Sequence, residues 1–274
     1  MARKRIGALC MYAFILLGVA ISLFPFYWLF VMSTRAPAEF FRFPPVMIPG
    51  LNLGDNFASL LTVIDFTRSL LNSLIVSTVR TVAALFLCSM TAFYFAKFRF
   101  PGRKALFAFI LMTMMIPSQL LMIPQLIMMG RLGLVSSLWA LILPGSYSIW
   151  YIILVRSYFR TIPESLREAA YIDGAGHYRV LFTIILPLSK SAVSALVIFS
   201  FIKVWNDYMA PLIYLQTPSK RTVQLGLSLF RSQYSMEYGV VMAGTVCALL
   251  PMIVLYLCAE KQITQGIAFS GMKN

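Results

Sequence analysis

Six apolar runs dominate the chain, at roughly Gly7–Met32, Leu70–Ala96, Ala105–Met129, Leu138–Arg156, Ser191–Leu215 and Gly239–Ala259. A helix of about 20 apolar residues crosses the hydrocarbon of a bilayer, so each run predicts one membrane span. Two polar connections are too long to be turns. Ser33–Ser69 holds Pro37, Pro44, Pro45 and Pro49 beside Phe40, Phe41 and Phe43, which predicts an ordered irregular cap rather than a helix. Ser157–Ser189 instead carries helix signals. Thr161-Ile162-Pro163-Glu164 has the form of a capping box ahead of the helix-forming stretch Ser165–Tyr171. Gly174 supplies the positive φ that ends such a helix, and a second helical stretch, His177–Leu186, stops at Pro187. The fold class is therefore all-α integral membrane, a single domain (residues 1–274) of six transmembrane helices with a cytoplasmic helix–turn–helix over 157–190.

Composition removes the soluble alternatives. Apolar residues make up 60% of the chain and charged residues 12%, with a mean hydropathy of +0.82. A soluble domain carries about 25% charge. The formal net charge of +14 invites a nucleic-acid reading. Its distribution argues for topology instead, because one side of the spans collects about twice the Lys and Arg of the other, and basic loops stay inside. That places both termini in the cytoplasm and excludes nucleic acid as a partner. The first run follows Arg3-Lys4-Arg5 and imitates a signal peptide, yet it is about twice as long as a signal h-region and is expected to be retained. Cys10, Cys88, Cys247 and Cys258 lie in apolar runs without CxxC spacing, so they suggest packing rather than disulfides. A single histidine, His177, assembles no zinc site, and no metal or cofactor is expected.

The inner connection also reads Glu168-Ala169-Ala170, Gly174, Ile184 and Leu186-Pro187, spaced as EAA-x3-G-x9-I-x-LP. This resembles the signature of permease subunits of bacterial binding-protein-dependent ABC importers, with every fixed position matched. Trp205-Asn206-Asp207-Tyr208-Met209-Ala210-Pro211 looks like the end of the fifth helix in carbohydrate-uptake permeases, and Gly266 to Lys273 looks like their G-x4-G-x-K tail. Phe57, Asn72-Ser73 and Ile116-Pro117 fall where that group has similar residues. The likeness covers nearly the whole chain and is nearest to the MalG-like subgroup of maltose- and oligosaccharide-type permeases. It implies a MetI-like fold in the bacterial cytoplasmic (inner) membrane. It also implies a heterodimer with a second, homologous permease, two ATP-binding subunits and an extracytoplasmic solute-binding protein. Glu168, Ala169, Ala170, Gly174, Ile184, Leu186 and Pro187 would then form the coupling helices that dock on the ATPase, and sugar would enter by alternating access.

The residues support that division of labour. The chain has no GxxxxGK[ST] loop, and Gly174-Ala175-Gly176 lacks the third glycine of a dinucleotide loop. There is no HExxH or GxSxG set either, so the subunit is expected not to be an enzyme. Ionisable residues inside spans are costly and are functional candidates: here they are Arg80, Lys203 and Asp207. Lys203 and Asp207 are spaced i, i+4 and can pair as a structural ion pair, or they can serve a ligand. Planar polar groups and aromatic faces suit sugars, which nominates Trp205, Asn206 and Asp207, with Tyr147 and Trp150 in a second polar-aromatic cluster that includes Ser146, Ser148 and Tyr151. Pro117, Pro124, Pro144 and Pro251 predict bent spans. The alternatives are an ion-coupled secondary carrier, for which one intramembrane acid is thin support, an ABC permease for a non-sugar solute such as glycerol phosphate, and a non-transporting membrane scaffold that keeps the loop helices as a docking site.

Overall fold

Hydrocarbon offers the backbone no hydrogen-bond partners, so a chain this apolar must pair its own N–H and C=O groups locally, as helices. The computed structural model describes residues 2–232 and 238–271, and among these there is no strand. Met272 and Lys273 of the tail motif lie outside the described residues.

Three segments are long and apolar enough to cross a membrane unbroken: Leu9–Ser33 within α1 (Ala2–Ser33), all of α3 (Phe66–Lys97), and Tyr238–Glu260 within α14 (Tyr238–Gly271). Three bent pairs pass the same test only together, and with each pair counted as one span the described residues hold six. Arg103–Thr113 (α4) meets Ser118–Arg131, which contains α5 (Met122–Arg131), at 87°. Pro117 lies at that break, where it withholds an N–H and biases Ile116 away from helical backbone. Trp139–Gly145 (α6) meets Ile149–Phe159 (α7) at 46°, just beyond Pro144. His177–Leu188 meets Lys190–Trp205 (α11) at 88°. A further helix, α13 (Val223–Ser232), precedes α14; Pro251 breaks nothing, and α14 runs on through it.

Two expectations need correction. The fifth apolar run is not one helix: α11 ends at Trp205, and a short α12 (Met209–Tyr214) follows. Asp207 Oδ1 accepts from the backbone N–H of Ala210 at 3.2 Å, capping the new helix. Asn and Asp offer the backbone such alternatives to a continuing ladder. The outer connection, read as irregular, contains α2 (Leu53–Val63), whose inner face buries Asn56 and Leu60. Its prolines all precede Gly50, which leaves the rest of the segment free to coil.

The chain divides into two compact units, Met1–Thr67 with Gly226–Leu250, and Arg68–Leu225 with Pro251–Asn274. In the first, the cap is tied to the end of α1. Asn56 donates to the carbonyls of Ser33 (2.8 Å) and Arg35 (3.0 Å), and Gly50 N–H donates to Thr34 Oγ1 at 2.8 Å. A Cβ on Gly50 would stand 2.5 Å from the Thr34 carbonyl oxygen, so the approach needs glycine. The apolar side chains of α1 between Leu9 and Phe30 are largely exposed, as suits a helix facing lipid or another subunit. In the second unit, Ala84, Cys88 and Phe93 of α3 pack with Ile152, Val155 and Phe159 of α7 and with Leu196 of α11. That core continues into the inner connection through Ile162, Ala170, Val180, Leu181 and Ile185.

Candidate functional site

The inner connection folds as an elbow. Its first arm is α8 (Glu164–Ile172). The chain then turns at Gly174 (φ 78°), with Ala175 N–H on the Ala170 carbonyl at 2.9 Å and Gly174 N–H on that of Tyr171 at 3.0 Å. This pair of bonds is the Schellman closure, and its left-handed residue is the one place where glycine is required. The expected capping box does not form. Pro163 stands at the cap position without a side-chain bond, and the Thr161 hydroxyl turns back to donate to Tyr158 O at 2.8 Å. Glu164 binds cations instead: its carboxylate lies 2.9 Å from Arg167 Nε and 3.5 Å from Lys97 Nζ.

Lys97, at the end of α3, is nearly fully buried and donates to Ile162 O at 2.5 Å. Arg167 donates to the Lys97 carbonyl and lies over the Phe98 ring, 5.4 Å from its centre. Tyr171 OH stands 2.8 Å from His177 Nδ1, and burial pushes its phenol pKa up, so it stays protonated at neutral pH. The elbow is thus clamped to the end of α3. The second arm comprises α9 (His177–Val180), one π-helical stretch Leu181–Ile185 and α10 (Leu186–Leu188). It therefore runs past Pro187 rather than stopping there. Pro187 supplies no N–H to the preceding turn, and the widened π turn ahead of it accommodates that loss.

Of the predicted coupling residues, Ala170 is buried and Ile184 and Leu186 pack against the core. Glu168, Ala169, Gly174 and Pro187 are exposed. Leu166 (43% exposed) and Ile172 (87%) add apolar groups to the outer surface of α8.

A second site lies deeper in the same unit. A cavity of about 300 Å³ is lined by residues from α3, α5, α6, α7, α11 and α12. Arg80 is its central cation. Nη1 donates to Leu141 O at 3.3 Å and lies 3.9 Å from Asp207 Oδ2. Lys203 also lines the cavity, but no ion pair joins it to Asp207, because α11 ends between them. The i, i+4 pairing read from the spacing is thereby replaced by a pairing with Arg80. Tyr147, Ser148, Tyr151, Ser200 and Tyr214 complete the polar wall. Tyr214 OH donates to Gln125 Oε1 at 2.9 Å.

Of the predicted pathway residues, Asp207 and Tyr147 line this cavity. Trp205 does not: it is 1% exposed and stacks on Phe201, with ring centres 5.6 Å apart. Asn206 meets Gln224 at 3.5 Å, and Trp150 packs edge-on against Phe199. Sequence reasoning missed Gln125, Ser200 and Tyr214 as cavity residues; the signal available was a polar side chain inside or ending a span. Among the described residues no group of three His, Cys, Asp or Glu side chains is placed to hold a metal ion.

Comparison with known proteins places this geometry. Residues 84–262 match the family described as "Binding-protein-dependent transport system inner membrane component". The lactose transport system permease protein LacG of Rhizobium radiobacter is 33% identical over 97% of this chain and 96% of its own length. The sn-glycerol-3-phosphate transport system permease protein UgpE of Yersinia pestis is 31% identical over 98% of each. A chain from the crystal structure of a bacterial ABC transporter involved in the import of the acidic polysaccharide alginate superposes with a TM-score of 0.79. It is 25% identical and covers 95% of this chain and 98% of that one. A chain from the crystal structure of a bacterial alginate ABC transporter, in complex with an alginate pentasaccharide-bound periplasmic protein, shares the fold at a TM-score of 0.63 and 16% identity. The elbow and the whole-length similarity agree, and this chain belongs to the family of inner membrane components of binding-protein-dependent transport systems.

Proposed function

We propose that this chain is one of two homologous permease subunits of a sugar importer in the bacterial cytoplasmic membrane, coupled through its elbow to two ATP-binding subunits. The observation that carries the reading is the construction of α8. One face is clamped to the transmembrane core through Ala170, through Glu164 on Lys97 and through Arg167 on the Lys97 carbonyl. The other presents Leu166, Glu168, Ala169 and Ile172 outward. A part built this way transmits displacement instead of absorbing it. ATP binding closes the ATPase dimer, the elbows of the two permeases approach, and the spans turn outward. An extracytoplasmic solute-binding protein then releases sugar into the pathway, and hydrolysis restores the inward state.

Asp207, Tyr147 and Arg80 mark that pathway, with polar donors and tyrosine faces suited to hydroxyls and sugar rings. The lactose relative supports a saccharide as cargo. A second reading, an anionic solute such as glycerol phosphate, is favoured by the two cations, Arg80 and Lys203, that face the single carboxylate of Asp207 in the cavity and by the glycerol-phosphate relative.

The test is co-expression of the chain with its sister permease, the ATPase and the binding protein in proteoliposomes. Glu168→Lys is expected to leave the subunit inserted while ATP-driven uptake falls at least about tenfold, as loss of a docking charge pair predicts. Unchanged uptake, or uptake that follows an ion gradient without ATP, overturns the proposal.

A further inference from the structure

A second cleft, of about 860 Å³, lies at the cytoplasmic end of the spans, between the α3–α4 connection and the end of α7. Arg99, Arg103, Lys104, Arg156 and Arg160 line it, and no Asp or Glu does. Two of these cations are held from behind. Arg156 Nε donates to Phe95 O at 3.2 Å, and its guanidinium lies 4.1 Å from the centre of the Phe107 ring. Arg103 Nη1 donates to Phe98 O at 2.8 Å. The rest of the lining is largely apolar and includes Phe107, Ala108 and Leu111 of α4. Leu106, Phe109 and Met112 also stand exposed on this helix.

Five like charges at close quarters repel one another, and without a carboxylate among them the balance must come from an anion outside the chain. Inorganic phosphate would answer the charge and leave the apolar lining in water. An acidic protein surface would do the same. A molecule with an anionic head on acyl chains answers both the cations and the apolar residues of the cleft. Basic pockets at the cytoplasmic ends of membrane helices take such headgroups. We infer that this cleft binds an anionic phospholipid of the inner leaflet, its phosphate among Arg99, Arg103 and Arg156 and an acyl chain along α4.

The test uses the full chain, purified and delipidated in detergent, and native mass spectrometry. Dioleoylphosphatidylglycerol, dioleoylphosphatidylcholine and inorganic phosphate are titrated separately and in competition. The variant Arg99→Gln/Lys104→Gln/Arg160→Gln removes three exposed cations, and Arg99→Lys/Arg160→Lys keeps the charge. The expected result is phosphatidylglycerol binding at least about tenfold tighter than phosphatidylcholine, a preference lost in the glutamine variant and kept in the lysine variant. Millimolar phosphate is expected not to displace the lipid. Equal binding of the two lipids by the unmodified chain overturns the inference whether or not the variants fold. Displacement by phosphate assigns the cleft to a small anion and overturns it too. Retention of the lipid preference by a folded glutamine variant overturns it as well.

Discussion

The guanidinium of Arg80 occupies the space that a side chain on residue 145 would need: a Cβ built on Gly145 stands 1.8 Å from Arg80 Cζ. Gly145 closes α6 just after Pro144, and its bare backbone lets the cation reach both Leu141 O and Asp207. The obstructing group is the end of a flexible side chain, so Gly145→Ala is expected to cost only about 1 kcal/mol of stability. Solute uptake should nevertheless fall severalfold, because Arg80 must leave its place beside Asp207. Uptake assays at matched membrane levels of the subunit check this, and full activity would show that the placement of Arg80 is immaterial.

Arg80 and Asp207 should behave as a coupled pair. Removing one partner leaves the other partly buried and uncompensated, while removing both relieves that penalty. Arg80→Gln and Asp207→Asn are each expected to lower the melting temperature, and the double variant should recover part of the loss. A double-mutant cycle in detergent is expected to give a coupling of about 0.5–3 kcal/mol. Strict additivity would mean that the 3.9 Å approach carries no energy.

Gly174 holds φ at 78°, where a side chain is strained. Gly174→Ala should destabilise the elbow by about 1–2 kcal/mol without touching the spans. Insertion and solute access to the cavity are expected to persist, and solute-stimulated ATPase activity of the assembled transporter to drop. Gly176 has ordinary backbone and open space around its Cα, so Gly176→Ala serves as the control.

Asn72 and Ser73 fasten the segment after α12 to α3. Asn72 Nδ2 donates to the carbonyls of Ser219 (3.1 Å) and Arg221 (2.9 Å), and Ser73 Oγ accepts from Val223 N–H at 2.8 Å. Asn72→Ala leaves two carbonyls to find water, at a cost of about 1–3 kcal/mol. Trypsin added from the extracytoplasmic side should then cut after Lys220 or Arg221 faster than in the unmodified protein. An unaltered digestion rate would separate this segment's order from the Asn72 contacts.

The helical architecture and the elbow were legible because both rest on local rules. Apolar length marks spans, and Gly174 marks a left-handed turn whatever surrounds it. Local rules failed where another contact claimed the group. Thr161 looked like a cap, but its hydroxyl is taken by the end of α7. Lys203 and Asp207 looked paired because the fifth run looked like one helix. Asn206 and Asp207 end that helix, and Asp207 turns to the cation on α3. Trp205 had the chemistry of a sugar-binding face, yet its ring is spent on Phe201 inside the protein. Residue type does not reveal which way a side chain points once the backbone has broken. Gln125 and Tyr214 meet only because α5 and α12 are brought together in the fold.

A single residue, Ser189, separates the second arm of the elbow from α11, at a corner of 88°. Its N–H is held by Ile185 O and Leu186 O, both at 3.1 Å, and its carbonyl receives Val193 N–H at 3.0 Å. The joint works like a bell crank, with almost no slack between its limbs. Under the proposed coupling, a sideways push along the underside of the membrane would become a swing of the limb that carries Ser200 and Lys203. On that proposal the gearing of the transporter would be written into one corner of the backbone, and lengthening that corner by even one glycine would let the stroke run idle.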